Sequence, residues 1–203
     1  MIWHLHEHRH LLSATAFHAT SAQEADDIRR AGFLQPIAIL PNGVRPPSQP
    51  EPPRSLLFDT LPKLPPKRIA LFMSRLHPKK GPVELIQAWS SQPPSLLQDW
   101  HLVLAGPDLD HYRPAILHAI SQSAQARTIT LLPEVSGALK HALLHHAELF
   151  VLPTHEENFG NVIAESLAHA TPVLTTRRHP GKFCKPSAAA GGLKTTRKLS
   201  VTP

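Results

Sequence analysis

The sequence predicts an α/β fold: a mostly parallel sheet with helices on both faces. Three observations predict it. Short, continuous apolar runs recur at 68–73 (RIALFM), 101–105 (HLVLA), 128–132 (TITLL), 148–152 (ELFVL) and 171–175 (TPVLT). Segments of helical character separate them, near 82–91, 112–125, 137–147 and 160–170. Turn residues such as Gly81, Gly106, Gly137 and Gly160 punctuate the alternation. A strand with no polar face must be covered on both sides, which parallel sheets with crossover helices achieve.

The elements follow in order. Residues 1–16 lack Gly and Pro and place Leu5, Leu11 and Leu12 in a helical segment. Residues 17–20 form a short strand. Ser21-x-x-Glu24 then matches a capping box, in which serine and glutamate each satisfy a backbone amide. That helix runs to about Arg30 and ends at Gly32. A second strand at 36–40 is closed by Pro41, Asn42 and Gly43. Residues 45–67 are dense in proline, which fixes φ and removes amide donors. They are expected to form an extended loop wrapping the domain surface. The strict strand–helix alternation starts at 68 and stops at Thr176.

The chain has 203 residues, 41% of them hydrophobic, enough for one domain with its own core. No apolar run approaches the roughly 20 residues of a membrane span. The N-terminus has no apolar signal core, so the expected location is cytoplasmic. The lone Cys184 excludes an internal disulfide framework. The pI near 9.8 reflects one region. Seven of the 21 Lys and Arg lie after Thr176, where there is no acid, which leaves residues 1–176 with a net charge of −1. No specific nucleic-acid partner is expected. The basic tail, 177–203, has no periodicity and reads as disordered. It is suited to weak contact with nucleic acid or anionic lipid, and so to peripheral association at the inner face of the cell membrane.

Three segments follow predicted strands on the edge where open α/β sheets bind ligands. In Ser74-Arg75-Leu76-His77-Pro78-Lys79-Lys80-Gly81, Arg75 and Lys80 can converge on one anion. Arginine gives a planar fork and lysine a point charge. The alternative is a solvated loop with ordinary surface charges. Gly106, before Pro107 and Asp108, permits close approach of a ligand to the backbone but carries no chemistry by itself. In the third segment, 153–165, a turn at Gly160 opens a helix. The amides of Gly160, Asn161 and Val162 would face the cleft, a ready phosphate site. Glu165 can accept bonds from two ribose hydroxyls, and Glu157 can face a sugar. On the plainer reading, Glu157 favours the helix dipole and Glu165 is an exposed helix residue.

The frame P-T-x-x-E-x-F-G-x-V-x-x-E, ending at Glu165, resembles the signature of the family 4 retaining glycosyltransferases (group 1, GT-B architecture). S-R-L-x-x-x-K-G resembles that family's diphosphate-binding loop. F-H-A-T-S-x-x-E and I-L-P-N-G-V resemble the segment where such chains enter their C-terminal domain. The likeness covers roughly residues 12–176.

The resemblance implies a Rossmann-like half-domain at 17–176 that binds a nucleotide-diphosphate sugar and serves transfer with retention to a glycan or lipid-linked acceptor. It implies no metal and no cofactor. Arg75 and Lys80 would neutralise the diphosphate, and Glu157 would touch the transferred sugar as the catalytic-site residue. Asn158, Phe159, Gly160, Asn161 and Val162 would form the sugar- and phosphate-binding turn, and Glu165 would hold the ribose. Pro133, Glu134 and Val135 would lie near the base.

The sequence departs from the family in two places. Only about 16 residues precede the first strand, where the family carries an acceptor-binding domain; residues 1–16 are expected to be a remnant of the interdomain region. The composition also changes abruptly after Thr176, which predicts a shifted reading frame and a sheet incomplete at its C-terminal edge. Two other readings stay open: a catalytically inactive remnant that at most binds nucleotide, and an interaction protein with a polyanion-binding tail.

The weaker signals favour plain roles. His4, His6, His8 and His10 fit an amphipathic helix, with no carboxylate or cysteine completing a zinc pattern. His141, His145 and His146 are expected at the surface or lining a groove. Trp3, Trp89 and Trp100 are expected to pack.

Overall fold

The computed structural model describes residues 7–45, 47, 50–155 and 159–176. Five strands form one sheet: β3 (Arg68–Met73), β4 (Trp100–Ala105), β5 (Ile129–Leu131), β6 (Ala147–Leu152) and β7 (Val173–Thr175). Their order is β5-β4-β3-β6-β7, and every pairing is parallel. The chain steps outward from β3 to β4 and β5, then returns to the other side of β3 with β6. The order therefore reverses between β3 and β6, which makes a crevice at their C-terminal ends.

Six helices belong to this unit: α3 (Ser55–Thr60), α4 (Pro82–Ser90), α5 (Pro94–Leu97), α6 (Arg113–Gln122), α7 (Gly137–His146) and α8 (Asn161–Ala168). Helix α4 packs on α6, while α7 packs on α3 and α8. Right-handed crossovers put these two groups on opposite faces of the sheet. The apolar runs form the core, with Leu71, Phe72, Leu102, Leu104 and Phe150 wholly buried. Each such side chain contributes about 2–3 kcal/mol through removal from water.

Before this sheet come α1 (His8–Leu12), β1 (Phe17–Ala19), α2 (Ala22–Arg30) and β2 (Ile37–Ile39). Strands β1 and β2 pair in parallel but form their own two-stranded sheet. Hydrophobic alternation identifies strands without naming their partners, so this division was not visible in the sequence. The helix expected over 1–16 is described only as α1, since residues 1–6 lie outside the described residues. Of the capping box, the serine half is present: Ser21 Oγ accepts from the Glu24 amide at 3.2 Å. The glutamate turns instead to Thr20, whose amide and hydroxyl both donate to Glu24 Oε2 at 2.6 Å. The Thr20 hydroxyl, then its amide, hold the Glu24 carboxyl below its ordinary range.

The proline-dense segment 45–67 is not wholly extended. It contains α3, whose Leu57 is wholly buried, and Leu64 joins the same core. The prolines flank this helix rather than interrupt it, so the apolar spacing of Leu57, Leu61 and Leu64 prevails over composition. Histidines of α7 fasten the approach to α3: His146 Nε2 donates to the Pro52 carbonyl at 2.7 Å, and His145 Nε2 lies 3.2 Å from Glu51. Trp89 and Trp100 pack against the core as expected. Trp89 Nε1 donates to Thr128 Oγ1 at 2.9 Å, and Arg68 stacks 4.1 Å from the Trp100 ring centre. The short helix α5 was not expected.

Among the described residues, no helix is long and apolar enough to cross a membrane. Cys184, the basic tail, Trp3, His4 and His6 lie outside the described residues.

Candidate functional site

The loops that leave β3, β4, β5 and β6 meet at the crevice between β3 and β6. Their approach is set by two glycines. A Cβ on Gly106 would lie 1.8 Å from the Ser74 carbonyl oxygen, so only glycine lets the β4 loop pass the β3 loop. The close approach that Gly106 permits is thus by backbone. Gly81, at φ +70°, ends the 3-10 turn Pro78–Lys80 and starts α4. A Cβ there would lie 2.5 Å from the Pro153 carbonyl oxygen. The same two loops are tied by hydrogen bonds. The His155 amide and Thr154 Oγ1 donate to the Lys79 carbonyl at 2.8 and 3.2 Å. These bonds tie the loop carrying Arg75 and Lys80 to Thr154 and His155 just after β6.

These loops enclose a cleft of about 510 Å³. The β3 loop contributes Ser74 and Arg75, the β4 loop Gly106 and Pro107, and the β5 loop Glu134 and Val135. Helix α7 adds Lys140, and α8 adds Asn161, Val162 and Glu165. Gly160 takes a left-handed conformation (φ 78°, ψ 57°) at the N-cap of α8, which turns the chain abruptly from β6 into the helix. Among the described residues, none accepts from the Asn161 or Val162 amides, so this end of α8 presents N–H groups and a partial positive charge. Asn161 Oδ1 accepts from Asn42 Nδ2 at 3.0 Å, linking the segment after β2 to the same helix start.

The expected site residues divide as follows. Arg75, Glu134, Val135, Asn161, Val162 and Glu165 share the cleft. Lys80 ends the adjoining 3-10 turn and Pro133 precedes the lining residues; neither lines the cleft itself. The Pro133 carbonyl accepts from the Gly106 amide at 3.3 Å. Phe159 is buried, 9% exposed. Glu157 and Asn158 lie outside the described residues.

Sequence reasoning missed Lys140. Its ammonium lies 2.8 Å from Glu165 Oε1, and both side chains are 30% exposed. Nothing in the sequence signals this pair, because it depends on α7 and α8 lying side by side. Lys140 and Glu165 also line a second cleft of about 340 Å³ with Arg45, His141 and His169. There His169 Nδ1 donates to the Glu165 carbonyl at 2.8 Å, and its Nε2 lies 3.2 Å from His141 Nδ1. Among the described residues, no three metal-ligating side chains gather.

The model of the glycosyl transferases group 1 family matches residues 54–182, well over half of the chain. The chain belongs to this family. A relative is the D-inositol 3-phosphate glycosyltransferase of Mycolicibacterium gilvum, 30% identical over 132 residues, which are 64% of this chain and 26% of that protein. The chain thus spans about a quarter of the length of that curated relative. Among solved structures, it resembles sucrose-phosphate synthase from Thermosynechococcus elongatus (TM-score 0.69, 23% identity, 85% of this chain and 43% of that one). It also resembles Anabaena HepE, crystallised with UDP and glucose (TM-score 0.70, 22% identity, 82% of this chain and 46% of that one). Both show the same fold, and this chain has the glycosyltransferase half-domain architecture.

Proposed function

We propose that the cleft between β3 and β6 binds the nucleotide diphosphate of a UDP- or GDP-sugar, and that the chain is the donor-binding part of a glycosyltransferase. The observation that supports this most is convergence. Arg75, the amide-bearing start of α8 and Glu165 arise from distant parts of the sequence and line one cleft. Arg75 supplies a bidentate cation for a phosphate. The Asn161 and Val162 amides supply neutral donors on a helix N-terminus. Charge that develops on the departing diphosphate would be stabilised by the same groups, which is how the site would favour transfer. Lys80, in the loop tied to Pro153–His155, would add a second cation. Glu157 would contact hydroxyls of the sugar, with Asn158 in the turn beside it. Glu134 and Val135, with Pro133 behind them, would flank the base.

The finer features of the reaction are proposals of the same kind. They are retention at the anomeric carbon, no metal requirement, and a polysaccharide, lipopolysaccharide or lipid-linked acceptor. So are a unit at 17–176, a basic tail that docks at the inner face of a membrane, and a cytoplasmic site of action. The acceptor must be oriented by surface beyond this cleft, since proximity supplies much of the rate in group transfer.

Calorimetric titration of the 203-residue chain with UDP- and GDP-sugars tests the reading. Saturable binding is expected, unchanged by a chelator and at least about 10-fold weaker in Arg75→Ala, the scale of one lost charge-assisted bond. Binding that survives Arg75→Ala unchanged, or no binding by folded protein, would overturn it.

A further inference from the structure

Lys140, Asn161 and Glu165 line both clefts and so divide one from the other. The Lys140–Glu165 bond fixes two of these side chains, and the Asn42–Asn161 bond fixes the third. Each side of the divider has one arginine. Arg75 lines the cleft at the β3–β6 crevice, and Arg45 lines the second cleft of about 340 Å³. Arg45 precedes Pro46, which restricts its backbone to extended conformations. Beside it stand Gly43 and Val44 of the same segment, His141 of α7, and His169 at the end of α8.

These groups are donors in surplus. A guanidinium carries five N–H groups, and the Lys140 ammonium keeps two protons beyond the one bonded to Glu165. Among the described residues, the Arg45 side chain has no bonding partner, and neither do the amides of Gly43, Val44 and Arg45. His141 approaches His169 through Nδ1, and its Nε2 has no partner among the described residues. The one acid lining the cleft, Glu165, is already engaged with Lys140. The cleft is therefore cationic and short of acceptors. A single arginine fork satisfies a planar carboxylate. Donors that arrive from three segments on different sides suit a tetrahedral oxyanion instead. In volume the cleft lies at the lower end of small-molecule pockets, about 300–1,000 Å³, which suits a small ligand.

We propose that this second cleft is a phosphate site, separate from the nucleotide cleft, in which Arg45 and His141 hold a phosphate monoester or free phosphate. It does not depend on the nucleotide reading, because Arg45, His141 and His169 line only the second cleft. The Arg45 fork donates two parallel bonds to the phosphate oxygens. His141 Nε2, carrying a proton, and the amides of the 43–45 segment donate to the remaining oxygens. Lys140 turns a spare proton to the same anion without releasing Glu165.

Calorimetry on the full chain tests this with inorganic phosphate, glucose 6-phosphate and acetate, each titrated with and without saturating UDP. UDP fills the diphosphate site, so phosphate that still binds is held elsewhere. Saturable binding of phosphate or the sugar phosphate is expected in the presence of UDP, and tighter than that of acetate. Arg45→Ala should weaken it by about 10-fold or more, the scale of one hydrogen bond to a charged group. Arg45→Lys should keep part of it, and His141→Phe should cost about 3-fold. Arg75→Ala should weaken UDP and leave phosphate binding in the second cleft in place. A circular-dichroism melt verifies that each variant is folded. Tighter binding of the sugar phosphate would identify a phosphorylated small molecule as the ligand, and tighter binding of inorganic phosphate the free ion. Phosphate binding that UDP abolishes, that acetate matches, or that survives Arg45→Ala would overturn the site. Failure of UDP to bind, with phosphate binding still dependent on Arg45, would bring down the nucleotide reading alone.

Discussion

The five-stranded sheet and the two-stranded sheet are both parallel, yet they are built differently. All but the first residues of β3 and β4 are buried, and helices cover both faces. In β1 and β2, only Ala19 is buried, and Ile39 is 49% exposed. Parallel sheets draw stability from cover on both faces, and two strands alone are marginal. The first sheet is therefore a scaffold able to fix a site at its edge. The second depends on its neighbours, chiefly α2 and the Asn42–Asn161 bond.

The largest expected effect lies in the scaffold. Phe150→Ala should cost about 4 kcal/mol in denaturant unfolding, through lost burial and a cavity beside β3. Ile39→Ala in β2 should change stability by no more than about 0.5 kcal/mol. Equal effects would erase the distinction between the two sheets.

Acid should expose the same asymmetry. His101 of β4 is 3% exposed and bonds Thr130 Oγ1 at 2.8 Å. Burial, with the charge of Lys67, pushes its imidazole down to about 4. In the unfolded chain it protonates near the ordinary value of about 6.5. Between these values the unfolded state binds more protons, so stability falls as pH drops from about 6.5 to about 4, by about 3 kcal/mol in all. His101→Gln should flatten that part of the stability–pH curve. An unchanged curve would mean that His101 is not held neutral.

Smaller gains should come where α8 meets β7. Ser166 Oγ is buried with no partner among the described residues, and Ala170 holds φ +60°, a conformation that suits glycine. Ser166→Ala and Ala170→Gly should each raise stability by about 1 kcal/mol, seen as higher melting temperatures.

Much of this was legible in the sequence. The runs at 68–73 and 101–105 could only be strands covered on both faces, and the spacing from Arg75 to Lys80 and from Gly160 to Glu165 placed these residues at one sheet edge. Other features needed three dimensions. Helix α3 was hidden by its flanking prolines, although Leu57 and Leu64 serve the core. Glu24 was expected to cap its own helix, but Thr20 offers it two donors. Gly106 was expected to admit a ligand to the backbone; it lines the cleft, and its missing Cβ also makes room for the Ser74 carbonyl, which no motif signalled. Lys140 carried no motif at all, because its meaning comes from the packing of α7 on α8.

The most direct measurement is an amide NMR titration of the chain with UDP and GDP. The proposed site predicts shifts concentrated at Ser74, Arg75, Gly106, Val135, Asn161, Val162 and Glu165, with β1 and β2 unmoved. Shifts confined to the groove between α4 and α6, or no shifts from folded protein, would contradict a nucleotide site at the crevice between β3 and β6.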